Sequence, residues 1–259
     1  MTASDHTPER PFWEAGLILR VRCGSRAYGC ELPTSDEDTR GVCIPPKRFL
    51  LGLETFEQHE SDGGDHVVFA LSKFVRLGLL GNPNIIETLY TSDEDVLFCD
   101  AFGARLVAAR GLFLSRRVGD RSEGYARSQL TRMRNHHTAL MSGVGEARLE
   151  FRNPARAELE RLHGFDTKHA LHLIRLLRMG TEIMRTGEVH VRRRDAAELL
   201  QIRRGEWSFE RVIGEAAALL AALNEAAPSS PLPDAPNEAE ANELLIELHE
   251  AALADPRRG

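Results

Sequence analysis

Two spacings of apolar residues run through this chain, and one gives way to the other near residue 100. Residues 17–23, Leu-Ile-Leu-Arg-Val-Arg-Cys, join an apolar run to a period-two alternation, which predicts a largely buried strand stopped at Gly24-Ser25. A loop with Gly29 and Pro33 follows. Residues 40–44 then predict a second strand, halted by Pro45-Pro46, and residues 65–71 predict a third. Phe74, Leu77 and Leu80 share one face of a helix over 72–80. Asn82-Pro83-Asn84 breaks it, and Pro83 suits the first turn of a further helix reaching Tyr90. Beyond residue 101 strand patterning fades, and helical spacing predicts helices over 101–110, 121–142, 155–163, 167–186, 195–203, 209–226 and 238–254. Four prolines within 228–236 predict an extended segment, handing over to a terminal helix that docks back through Leu244, Leu245 and Leu248. The expected class is α+β: a short mixed sheet with flanking helices over 1–110, then an all-helical domain over 111–259 with the proline-rich segment inside it.

Composition supports a packed core, with 42% hydrophobic residues, and no apolar run approaches the ~20 residues that span a bilayer. The first sixteen residues lack the basic-then-apolar order of a signal peptide. Cys23, Cys30, Cys43 and Cys99 form neither a disulfide scaffold nor a CxxC zinc pair, so a reduced, cytoplasmic protein off the membrane is expected. Charge is uneven. Residues 110–211 hold 21 Lys and Arg against 13 Asp and Glu, a net of +8, leaving −14 elsewhere in a chain of net −6. A basic middle in an acidic chain fits an anionic ligand, phosphate or nucleic acid, and equally fits solvated helix faces.

The chemistry concentrates in Gly24-Ser25-Arg26-Ala27-Tyr28-Gly29 and, ten residues beyond Ser25, Ser35-Asp36-Glu37-Asp38. Asp36 and Asp38, two apart on extended chain, point to the same side. Carboxylates held so close repel unless a cation lies between them, and an oxygen-only ligand set suits Mg²⁺. A Gly-Ser turn ending a strand offers N–H groups and a hydroxyl to phosphate. Metal pair plus phosphate cradle is the apparatus of phosphoryl transfer at a nucleoside triphosphate. The same Ser-Asp-Glu-Asp string is also good helix-capping chemistry.

The segments GSRAYG and SDEDTRGV resemble the nucleotidyltransferase signature of the DNA polymerase β superfamily: Gly-Ser, a spacer, then Asp-x-Asp on the next strand. A closer resemblance, to the RNA-repair-pathway DNA polymerase β family, runs over roughly residues 16–250. It adds DHVVFALSKF from Asp65, NPNIIETL from Asn82 and DTKHALH from Asp166. The resemblance implies a polymerase β-like core followed by a helical domain that closes over the triphosphate. It implies an Mg²⁺ enzyme, Mn²⁺ being the other candidate ion. That enzyme moves a nucleoside monophosphate from an NTP, ATP among them, to an acceptor hydroxyl such as an RNA end, and releases pyrophosphate. Gly24, Ser25 and Arg26 would bind nucleotide, Asp36 and Asp38 the metals, and a third carboxylate would join them. Asp65 is the first candidate for that third acid and Glu87 the second.

Within the helical half, Lys168, His172 and Arg175 fall at i, i+4 and i+7 on one face, beside an apolar stripe of Leu171, Ile174 and Leu177. Lysine occurs only at Lys47, Lys73 and Lys168, and a compact ammonium suits a phosphate. These three residues are therefore candidates for the nucleotide, and an exposed basic face is the plainer reading. Arg116, Arg117, Arg127, Arg132 and Arg134 are candidates for a nucleic-acid backbone, and Arg192-Arg193-Arg194 for phosphate. The competing function is a binding module of the same fold that recognises nucleotide or RNA without turnover.

Overall fold

A computed structural model describes residues 10–61, 63–142 and 154–256. Five strands form one sheet: β1 (Leu17–Cys23), β2 (Asp38–Cys43), β3 (Gln58–Glu60), β4 (His66–Ala70) and β5 (Val96–Cys99), in the order β3-β4-β2-β1-β5. β1 runs antiparallel to β2 and β5, β2 runs parallel to β4, and β3 closes the other edge antiparallel to β4. The interior position of β1, between β2 and β5, explains its composition: Leu17, Ile18, Leu19, Val21 and Cys23 are all buried. Its two arginines are paired instead, Arg20 with Glu14 and Arg22 with Asp95.

The helices are α1 (Phe12–Ala15), α2 (Gly24–Tyr28), α3 (Lys47–Leu50), α4 (Leu71–Leu79), α5 (Pro83–Leu89), α6 (Ala101–Ala108), α7 (Arg117–Met141), α8 (Pro154–His163), α9 (Thr167–Thr186), α10 (Ala196–Arg203), α11 (Phe209–Ala226) and α12 (Glu238–Ala254). Asn82 caps α5 by accepting from the Asn84 N–H, and Asp166 caps α9 by accepting from the His169 N–H. The mixed sheet with a helical second half agrees with the α+β expectation. Three details differ. Residues 24–28 form a short helix where the Gly-Ser pair reads as a turn, because Gly24 absorbs a positive φ of 69° and lets the strand pass straight into it. β3 and β5 are only three and four residues long, too short for a period-two pattern to register. The proline-rich segment is less extended than expected: a 3₁₀ turn occupies Ala227–Ser229, and the Pro233 carbonyl accepts from the Arg116 N–H.

Two large apolar clusters, each drawing on both halves of the chain, make most of the core, and a small third one joins Leu17, Cys43 and Val68. One large cluster joins Tyr28 and Cys30 to Leu173, Ile174 and Leu177 of α9 and to Leu199, Val212 and Leu220. The other packs Ile18, Leu19, Phe74, Ile85, Ile86 and Leu106 with Leu176, Met179 and Ile183 of α9 and with Leu248 of α12. Helix α9 thus presents one apolar face to each large cluster. The polar N-terminal turns of α9 are thereby held at a fixed height against the end of β1.

Candidate functional site

The ends of β1 and β2 lie side by side, Cys23 opposite Asp38 in the antiparallel register. Gly24 therefore emerges directly beneath the Asp38 carboxylate. A Cβ on Gly24 would stand 2.1 Å from Asp38 Oδ2, and its φ of +69° is strained for any other residue, so only glycine fits. Asp65 reaches the same place along the sheet: its carbonyl accepts from the Thr39 N–H at 2.8 Å as β4 starts parallel to β2. Asp36 lies two residues before Asp38 on the approach to the strand. Burial, followed by the nearby charge of Asp65, raises the Asp38 carboxyl above its ordinary value; Asp36 adds to this, while Lys168 and Arg40 oppose it.

A cleft opens over Asp36 and Asp38, while Asp65 is absent from its lining. Gly24, Ser25, Asp36 and Asp38 line one wall, and Lys168, Leu171, His172 and Arg203 line the other. Lys168 is exposed and faces the acidic wall from the first turn of α9. Arg203, at the end of α10, is half-buried. Its Nη1 donates to Thr167 Oγ1 at 3.3 Å, and burial lowers its pKa, with Asp166 opposing. Nothing in the local pattern of residues 200–204 singles out Arg203; packing of α10 beside α9 alone brings it to the cleft.

Three candidates are placed elsewhere. Arg26 Nη2 donates to the Ser35 carbonyl at 2.9 Å and its Nε to that of Asp36 at 3.3 Å, so it braces the loop before β2 and is absent from the cleft lining. Arg175 is buried behind the cleft. Its Nη1 donates to Glu87 Oε1 at 2.7 Å, and its guanidinium stacks 3.7 Å from the centre of the Tyr28 ring. Glu87 also accepts from Tyr28 Oη at 2.6 Å. Burial would push the Glu87 carboxyl up, but Arg175, Arg40 and the Tyr28 hydroxyl hold it below the ordinary range. Of the two acids considered as partner for the Asp pair, only Asp65 stands beside Asp38. Glu87 is 2% exposed and committed to its arginines.

The remaining arginines are mostly neutralised. Arg193 pairs with Glu182 and Asp195, and Arg192 with Glu94 and Asp95. Arg178, Glu182, Arg193 and Asp195, which border a larger cavity, are bonded to one another, while Arg194 lines the same cavity as an exposed side chain. Arg116, Arg117 and Arg127 pair with Asp234, Glu238 and Glu123. Arg132 and Arg134 are exposed on α7.

Among the described residues no group of three or more His, Cys, Asp or Glu side chains is gathered closely enough to enclose a metal. Mg²⁺ does not require such a cage, being held by one or two carboxylates together with substrate phosphates and water. Asp38 and its acidic neighbours are hard oxygen donors whose mutual repulsion a cation would relieve, so they fit such an ion. No described helix is long and apolar enough to cross a membrane.

The model of the RNA repair pathway DNA polymerase beta family matches residues 7–247. The chain belongs to this family. An uncharacterized 38.9 kDa protein of Enterobacteria phage T4 is 28% identical over 95 residues, which is 32% of this chain and 28% of the phage protein's length. A crystal structure of a nucleotidyltransferase-like protein from Exiguobacterium sibiricum covers 93% of this chain and 80% of its own, at 13% identity and a TM-score of 0.30. So loose a likeness carries no argument. The family membership goes with the mixed sheet and helical half described above.

Proposed function

We propose that the protein transfers a nucleoside monophosphate from an NTP to an acceptor hydroxyl, with release of pyrophosphate. The observation that carries the reading is the single cleft in which Gly24-Ser25 and the Asp36/Asp38 pair face Lys168 and Arg203 across a gap. Asp36 and Asp38 would hold Mg²⁺, or Mn²⁺ in its place, together with substrate phosphates and water; the ion, when bound, neutralises charge on the triphosphate and lowers the pKa of an attacking hydroxyl. Ser25 Oγ–H and the N–H groups at the start of α2 donate to the phosphate oxygens from one wall. Lys168 and Arg203 stabilise the negative charge that grows on the departing pyrophosphate from the other. Asp65, beside Asp38, takes the proton of the acceptor hydroxyl. The acceptor proposed is an RNA end, a reading supported by the family and by the exposed Arg132 and Arg134 of α7.

The test is incubation with each of four labelled NTPs and Mg²⁺ against RNAs, small alcohols and proteins, followed by mass measurement of whatever gains a nucleotide. An RNA heavier by one nucleotide supports the reading. NTP binding without transfer to any acceptor sinks it in favour of a binding module. Lys168→Ala makes a narrower prediction. The position is exposed, so the melting temperature should stay within a degree or so, while NTP affinity falls about tenfold with the loss of one charge-assisted contact. Equilibrium titration with a fluorescent NTP measures it, and unchanged affinity would remove Lys168 from the site.

A further inference from the structure

Behind the cleft, His172 meets a partner that restricts its chemistry. Arg175 Nη2 stands 3.3 Å from His172 Nδ1. A guanidinium has only donors, so Nδ1 must be the acceptor of this bond, and the ring proton belongs on Nε2. Arg175 is not free to turn away. Glu87 and the Tyr28 ring clamp it, and both are buried. His172 itself lines the cleft, one helical turn beyond Lys168.

We propose that His172 presents Nε2–H to an acceptor atom on the base of the bound nucleotide. This rests on the nucleotide reading given above. The groups facing the ring are Arg175 and His169 from its own helix, Glu87 from α5, Arg40 from β2 and Tyr28 from α2, whose ring centre lies 6.3 Å away. Burial, then the Arg175 charge, push the imidazole down to about 3, with Glu87 alone among the charged groups pulling the other way. A neutral donor suits a base carbonyl or ring nitrogen, whereas phosphate draws cations, and Lys168 and Arg203 already supply those. Tyr28 donates its hydroxyl to Glu87 and so has no donor left to compete. Cys30, Leu32 and Leu171 of the lining offer apolar surface to a ring. Selectivity follows: a base without an acceptor at that point leaves the N–H unmatched.

Two measurements test the proposal. Long-range ¹H–¹⁵N NMR on the wild-type protein between pH 5 and 8 should show His172 as the Nε2–H tautomer with no titration; an Nδ1–H tautomer, or a titration near the usual 6.5, overturns it. Calorimetric titration with each NTP and with tripolyphosphate then identifies the ligand atom. His172→Phe should bind the preferred NTP about tenfold more weakly and tripolyphosphate as before, and His172→Gln, which keeps a donor, should recover part of the loss. Unchanged NTP affinity in His172→Phe, or an equal loss for tripolyphosphate, overturns the base assignment. A wild-type protein that binds no NTP overturns the nucleotide reading itself, a result separable from failure of the His172 variant alone. Should His172→Phe fail to fold, the His172→Gln titration and the wild-type NMR decide the question.

Discussion

Arg175→Met is expected to destabilise the fold by about 3–5 kcal/mol, lowering the melting temperature by on the order of 10 °C. The substitution leaves Glu87 charged, 2% exposed and deprived of its closest cation, with only Arg40 at 3.8 Å and the Tyr28 hydroxyl to hold it. The cost comes from stranding a charge and not from the net worth of the pair. Glu87→Leu combined with Arg175→Met should therefore recover much of the loss, since an apolar pair of similar volume replaces a buried ion pair at little cost. Chemical denaturation of the two variants separates these effects, and a double variant no better than the single would contradict the account.

The acid side of the stability curve has a sign that follows from the same network. Glu87 titrates below its usual 4.5 in the folded state, so it contributes stability above that pH and loses it as pH falls through the depressed folded value. His172 acts earlier. The unfolded chain takes up its proton near 6.5 while the folded imidazole stays neutral to about 3, so stability falls by up to about 1.4 kcal/mol per pH unit as pH drops below 6.5. His172→Phe should flatten the urea midpoint between pH 6.5 and 5. A midpoint that is already flat in the wild type would contradict it.

Legibility in the sequence differs from one part of the site to another. Gly24-Ser25 and Asp36-x-Asp38 are recognisable because their chemistry is local: strand ends, a glycine and two carboxylates on one side of an extended chain. The structure does place them along one wall. Lys168 and His172 are legible for a similar reason, since helical spacing alone puts i and i+4 on one face. Arg175 satisfies the same spacing yet faces Glu87, because i+7 lies two turns farther along the same face, where Glu87 of α5 and Tyr28 cover the helix and the packing partner decides its role. Charge pattern says nothing about which acid an arginine will meet 88 residues away. Arg203 and Asp65 show the converse limit: each joins the others only through pairing of distant elements, α10 on α9 and β4 on β2. Helix α2 was hidden by Gly24 and Gly29, both of positive φ, which read as turn residues and here begin and cap a single helical turn.

Asp38→Asn carries the largest expected effect on activity. It keeps the size and most of the hydrogen bonding of the side chain while removing a charge that burial and Asp65 already make costly. The variant should melt no lower than the wild type in EDTA, because relief of repulsion favours the fold. Nucleotide transfer in Mg²⁺ should fall by well over the about 100-fold that loss of a mere outer-shell partner of a metal site causes. Asp36→Asn should behave alike, though its more exposed position makes the stability gain smaller.

Paired radiolabels follow nucleotidyl transfer at the Asp38 carboxylate directly. Wild-type protein and Asp38→Asn are incubated with Mg²⁺, an RNA acceptor and the same NTP carrying label on either the α- or the γ-phosphorus. The account predicts that the α-label moves to the acceptor, that the γ-label leaves as pyrophosphate, and that Asp38→Asn does neither while remaining folded. Transfer of the γ-label to the acceptor, or α-label transfer by Asp38→Asn at the wild-type rate, would contradict it.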